Sequence, residues 1–220
     1  MFFCQNLNYN FAMKVQECLK GAAVRLKEAG CPEPWLESLL LLSHAMGVRK
    51  EWILAHPDAQ VEREKEQVFS TLVERRLRRE PLPYILGRVE FYGIGLKIDP
   101  RALIPRPETE ILVDKVLEWA EKFPTLSIAD VGTGSGAVAV ALAIHLKGRA
   151  TIYALDSSPQ ALELARENAS INGVEGNIHF LLSDLLSALE GPVEAIVANL
   201  PYVPSAQLEK LAPEPVSYTH

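Results

Sequence analysis

Residues 126–136 read "LSIADVGTGSG". A short apolar run ends in an acid and opens directly into three alternating glycines, and "AVAVALAIHLK" (137–147) follows. A strand, a glycine turn and a helix in that order form the first unit of an α/β layer. Downstream the alternation repeats. "ATIYALD" predicts a second strand, "SPQALELARENASIN" a second helix, "NIHFLLSD" a third strand and "VEAIVAN" a fourth. Such alternation implies parallel strands joined by right-handed crossovers, so the fold class is α/β, a doubly wound Rossmann-like sheet.

Upstream the periodicity is helical. "VQECLKGAAVRLKEAG" spaces Val15, Leu19, Ala22, Ala23 and Leu26 at helical intervals and stops at Gly30 and Pro32. "PWLESLLLLSHAMGV" closes at Gly47. "EREKEQVFSTLVERRLRRE" predicts burial of Val68, Leu72 and Leu77, with acids at its start and arginines at its end, as a helix dipole prefers. Arg75, Arg76, Arg78 and Arg79 read as a solvated helix end or as a docking face for an acidic or nucleic-acid-bearing partner. The domain reading is therefore a helical bundle over 1–83, a connector and first helix over 84–123, and an α/β domain over 124–220. Met13 offers an alternative start, which would make the first twelve residues an ill-ordered extension.

Bulk composition narrows the function classes. A net charge of −6 argues against bulk attraction to nucleic acid. Cys4, Cys18 and Cys31 are not spaced as metal ligands and suit a reducing compartment. The run "AVAVALAI" (137–144) is too short to span a bilayer, and the N-terminus lacks the pattern of a secretory or transit signal. These features predict a cytoplasmic protein with no membrane partner and no metal.

Gly132, Gly134 and Gly136 permit a tight turn and close approach of a ligand to the backbone, with Thr133 and Ser135 between them. Alone this is weak evidence, since the spacing lacks the third position of the dinucleotide fingerprint. Asp156 ends the second strand twenty residues after Gly136, where a carboxylate can accept both hydroxyls of a ribose. Asp184, followed by Leu185, ends the third strand, where an adenine ring would lie. A lone strand-end aspartate is more often a turn or cap. Two of them beside a glycine loop point to a nucleoside cofactor. NAD shares the ribose carboxylate, but G-x-G-x-G with a second acid resembles the S-adenosyl-L-methionine-dependent methyltransferases.

"VANLPYVP" (197–204) ends the fourth strand. It is either a plain strand end or a holder for a planar, nitrogen-bearing substrate. Asn199 supplies a side-chain oxygen and Leu200 a backbone carbonyl, which together can accept both N–H groups of an amide. Pro201 restricts Leu200 to extended geometry, and Tyr202 can pack on the flat group. With "EPLPYILGRVEFYG" (80–93) and "LIPRPETEILVD" (103–114), this stretch resembles the glutamine N5-methyltransferases of peptide chain release factors, the HemK/PrmC family. The resemblance runs from about Met13 to about Pro213. It implies methylation of the glutamine in the Gly-Gly-Gln loop of class 1 release factors. Gly132 to Gly136, Asp156, Asp184, Leu185 and Asn199 would contact the cofactor. Asn199, Leu200, Pro201 and Tyr202 would hold the amide, and Arg106, Pro107 and Glu108 would shape the mouth of the site.

The chain departs from the family's pattern at Leu200, where the family has proline. "NLPY" is also the form found in rRNA adenine dimethyltransferases, which supplies the alternative function. The family's sheet has seven strands, whereas this chain ends 18 residues after Tyr202 without a convincing fifth. A C-terminally truncated, inactive chain is thus the third expectation.

Overall fold

The computed structural model describes residues 13–200. Pro201, Tyr202 and the segments 1–12 and 203–220 lie outside the described residues. The chain divides into two units with the boundary between Leu86 and Gly87.

In the first unit the helical periodicities become α1 (Val15–Glu28), α2 (Pro34–Met46), α3 (Lys50–Ala55), α4 (Arg63–Leu77) and α5 (Leu82–Leu86). Gly47 ends α2 at φ 71°, a left-handed turn that lets its N–H reach the Ser43 carbonyl. Val15, Leu19, Leu26, Leu41, Leu42 and Ile53 build the core. On α4 the buried stripe is Phe69, Leu72, Val73 and Arg76, while Val68 is 46% exposed. Helical spacing from Phe69 covers 72, 73 and 76, so the aromatic sets the phase and Val68 faces water.

The arginine run is not one solvated face. Arg76 is 2% exposed, and its Nε and Nη2 donate to the Glu37 carboxylate at 2.7 and 3.2 Å. Arg75 donates to Glu80 at 2.8 Å, and Arg79 donates to the Ala29 carbonyl at 3.1 Å. Glu37 lies on α2, so sequence adjacency alone could not reveal it as the partner of Arg76.

The second unit opens with an antiparallel hairpin, β1 (Arg88–Phe91) and β2 (Ile94–Lys97), inside the segment that sequence reading leaves as a connector. Its strands are four residues each, shorter than periodicity can resolve. A 3₁₀ turn (Pro107–Thr109) leads into α6 (Glu110–Ala120). Then follow β3 (Leu126–Val131), α7 (Ala137–Leu146), β4 (Ala150–Asp156), α8 (Pro159–Ile171), β5 (Ile178–Leu182) and β6 (Ala195–Ala198).

Among the described residues the main sheet is parallel, in the order β5-β4-β3-β6. The chain winds outward from β3 through β4 to β5, then returns to the other side of β3 as β6. Strand order therefore reverses between β3 and β6, and ligands of open α/β sheets bind at the carboxyl ends beside such a switch. α7 is apolar on every face and buried along nearly its whole length. Among the described residues no helix is long and apolar enough to cross a membrane.

Removing one partner of a desolvated ion pair leaves a buried charge uncompensated. Glu37→Ala is expected to destabilise the first unit by about 3–5 kcal/mol, read from denaturant unfolding.

Candidate active site

The glycine loop is shaped by the strand beside it. The N–H groups of Gly132 and Thr133 both donate to the Leu155 carbonyl, at 2.8 and 2.9 Å. The Gly134 N–H donates to Asp156 Oδ2 at 2.9 Å. Gly132, Gly134 and Gly136 have φ values of 70°, 56° and 79°, conformations that side chains disfavour. A Cβ on Gly136 would come within 2.9 Å of Ala165 Cβ and 3.1 Å of its Cα, so α8 packs directly on the loop. A Cβ on Gly132 would meet Leu200 Cδ2 at 2.5 Å, the tip of a flexible side chain.

Asn168 ties this loop to the hairpin. It is fully buried, and its Nδ2 donates to the carbonyls of Ser135 and Lys97 at 2.9 and 3.0 Å. Its Oδ1 accepts from the Lys97 N–H at 2.7 Å. Nearby, Arg101 donates to Asp99 and to Glu167 of α8, and its bond to Glu167, with one from Lys97, holds the Glu167 carboxyl down at about 2.

The loop, Asp156, Asp184, Leu185, Arg106, Asn199 and Leu200 line one cavity of about 350 Å³ at the carboxyl ends of the strands. Asp156 accepts from Gly134 with one oxygen and from the Ser158 N–H at 2.9 Å with the other. A carboxylate has about four acceptor sites, so two stay available for hydroxyl donors. Leu185 holds φ 49° beside exposed Asp184, and its carbonyl accepts from the buried Ser183 hydroxyl at 2.8 Å.

Opposite these, β6 pairs Ala198 with Val131 of β3, which brings Asn199 level with Gly132. Asn199 is exposed, and its Nδ2 donates to the Thr109 hydroxyl at 2.8 Å. Nε and Nη2 of Arg106 are buried with no hydrogen-bond partner among the described residues. Glu108 is exposed and does not line the cavity. Thr109 and Asn168 escape sequence reading because each acts through a contact made in space, at separations of 90 and as many as 71 residues. The threonine within "PRPETE" was the nearest available signal for the first.

Asp130 is fully buried at the end of β3, and its Oδ2 accepts from Thr133 at 2.6 Å. Burial pushes its carboxyl up to about 6 against the hydroxyl donor, which favours ionisation.

A parallel sheet whose strand order reverses, a loop of three glycines at positive φ and a strand-end carboxylate with free lone pairs fit a nucleoside cofactor. With an amide-bearing strand end facing that loop, they define the S-adenosylmethionine-dependent methyltransferase class. Residues 17–87 match the PrmC N-terminal domain model, and residues 109–214 match that of ribosomal protein L11 methyltransferase (PrmA). A release factor glutamine methyltransferase of Deinococcus radiodurans is 39% identical over 92% of this chain and 72% of its own length. One from Moorella thermoacetica is 38% identical over 90% and 70%. Among solved structures, a ribosomal protein L11 methylase from Lactobacillus delbrueckii subsp. bulgaricus is 31% identical, covering 57% of this chain and 61% of its own, with a TM-score of 0.40. The chain belongs to the release factor glutamine methyltransferase family.

Two glycines should respond differently to the same change. Gly132→Ala meets only a movable leucine tip, so the left-handed backbone sets a cost of about 1–2 kcal/mol. Gly136→Ala adds overlap with the α8 backbone and should cost about 2–5 kcal/mol, with loss of S-adenosylhomocysteine binding by calorimetry.

Asp130 carries a signed pH dependence. Its folded carboxyl lies near 6 against an ordinary 3.8, so across that window the folded state keeps a proton that the unfolded state releases. Stability from this group falls as pH rises through the window. Asp130→Asn should abolish that decline between the two pH values in denaturant unfolding, whatever constant offset the altered hydrogen bonds bring.

Proposed function

We propose that this chain transfers a methyl group from S-adenosylmethionine to the side-chain amide nitrogen of the Gly-Gly-Gln glutamine in class 1 peptide chain release factors. The observation that carries this reading is the placement of Asn199 and Leu200 level with the glycine loop, across the strand-order switch, in one cavity.

An amide nitrogen is a poor nucleophile because its lone pair is delocalised into the carbonyl. The Asn199 side-chain oxygen and the Leu200 carbonyl accept its two N–H bonds and turn the nitrogen toward the methyl. They also stabilise the positive charge that develops as the N–C bond forms. The nitrogen loses its proton to water after attack, so no dedicated base is required beforehand.

On the cofactor side Asp156 takes the ribose hydroxyls with its remaining lone pairs, and Asp184 with Leu185 borders the adenine. Gly132 to Gly136 bring the backbone close to the amino-acid portion, where Arg106 nitrogens without a partner among the described residues offer cationic donors. When bound, S-adenosylmethionine supplies an electrophilic methyl and leaves as a neutral thioether. The first unit engages the release factor. A net charge of −6 disfavours bulk attraction to nucleic acid, and a cytoplasmic site of action fits a substrate of the translation machinery.

Radiolabelled methyl transfer tests the reading. Label should pass to a class 1 release factor and not to the same factor with its Gly-Gly-Gln glutamine changed to alanine. Asn199→Ala should lower transfer at least about a hundredfold. Label on naked rRNA would replace this reading with an adenine methyltransferase, and no label on any substrate would mark the chain as inactive.

A further inference from the structure

We propose that Thr109 is a positioning residue that anchors the carboxamide of Asn199 beside the substrate amide. The inference rests on the amide-methylation reading above and assigns a role to a residue outside the motif that contacts the amide.

A carboxamide presents two nearly isosteric faces, one accepting and one donating. Only the accepting face can take an N–H of the glutamine amide. Turned over, Asn199 would aim a donor at a donor. Its position gives it freedom to turn, because the paired register of β6 ends at Ala198 and Asn199 itself is exposed. The Nδ2 donation to Thr109 Oγ1 at 2.8 Å leaves Oδ1 open; a hydroxyl can also donate, so the anchor fixes where the carboxamide sits while the N–H groups of the substrate select its accepting face.

The anchor is itself held. Thr109 is 8% exposed, and its N–H donates to the Arg106 carbonyl at 3.0 Å. The helix it precedes is clamped to the β1–β2 turn. The Tyr92 N–H donates to Glu110 at 2.7 Å and the Tyr92 hydroxyl to Asp114 at 2.6 Å. A hydroxyl on a buried, tied segment is a fixed reference for a side chain that has none of its own.

The test compares Thr109→Val, which keeps shape and loses the hydroxyl, with Thr109→Ser, which keeps the hydroxyl. Thr109→Val should lower kcat by about ten- to a hundredfold, the range expected for a misaimed reacting group. Its KM for S-adenosylmethionine should stay within about twofold, and Thr109→Ser should recover kcat to within about threefold. Wild-type kcat in Thr109→Val, or equal loss in both variants, would overturn the proposal.

A second readout needs no turnover. In side-chain amide NMR, with Asn199→Asp used to assign the resonances, one Asn199 Nδ2 proton should exchange slowly in the wild type and Thr109→Ser. It should exchange fast in Thr109→Val. Equal exchange in all three would overturn the anchor. A pinned amide in a protein that methylates no release factor would instead sink the functional reading and leave the anchor standing.

Discussion

The Asn168 carboxamide meets no water, and all of its hydrogen bonds run to backbone: two carbonyls and one N–H. Three pieces of chain converge there. Lys97 belongs to the hairpin, Ser135 to the glycine loop and Asn168 to α8. A buried amide left without partners is costly, so these pieces hold their mutual distances together or lose them together. The close seat of Gly136 on Ala165 follows from that spacing, since α8 can approach the loop only where the loop carries no side chain. The wall of the cavity that carries the glycine loop is the product of this packing.

Topology divides the labour around the cavity. Strands β3, β4 and β5 deliver the glycine loop, Asp156 and Asp184 in succession along one edge. The reversal of order then brings β6 to the opposite flank of β3, and Asn199 with it. Groups suited to a nucleoside and groups suited to an amide thus meet at the strand that both halves share. No loop has to travel far to bring them together.

The four strands of the main sheet were legible because each is a dense apolar run closed by an acid, an asparagine or a glycine. The glycine spacing and the strand-end aspartates marked one wall of the cavity for the same reason. What stayed hidden depends on contacts distant in sequence. Arg76 looked like one charge in a solvated run until Glu37 of another helix lay against it. Val68 looked buried because the window contained it, while Phe69 sets the phase of the stripe. The hairpin was hidden by brevity. Thr109 and Asn168 are ordinary polar residues in ordinary helical contexts, and their importance exists only in the folded arrangement.

Leu200 lies over Gly132 with the end of its side chain, at a position where the resemblance calls for proline. A pyrrolidine ring there would be a stiff wall of fixed shape. A leucine has two rotatable side-chain bonds and can retract when something larger presses on it. The cavity is accordingly compliant at this corner and rigid at Gly136, where the opposing surface is helix backbone. Strain from any bulk introduced at the β3–β6 junction would be absorbed by rotamer change at Leu200 before it reached the sheet.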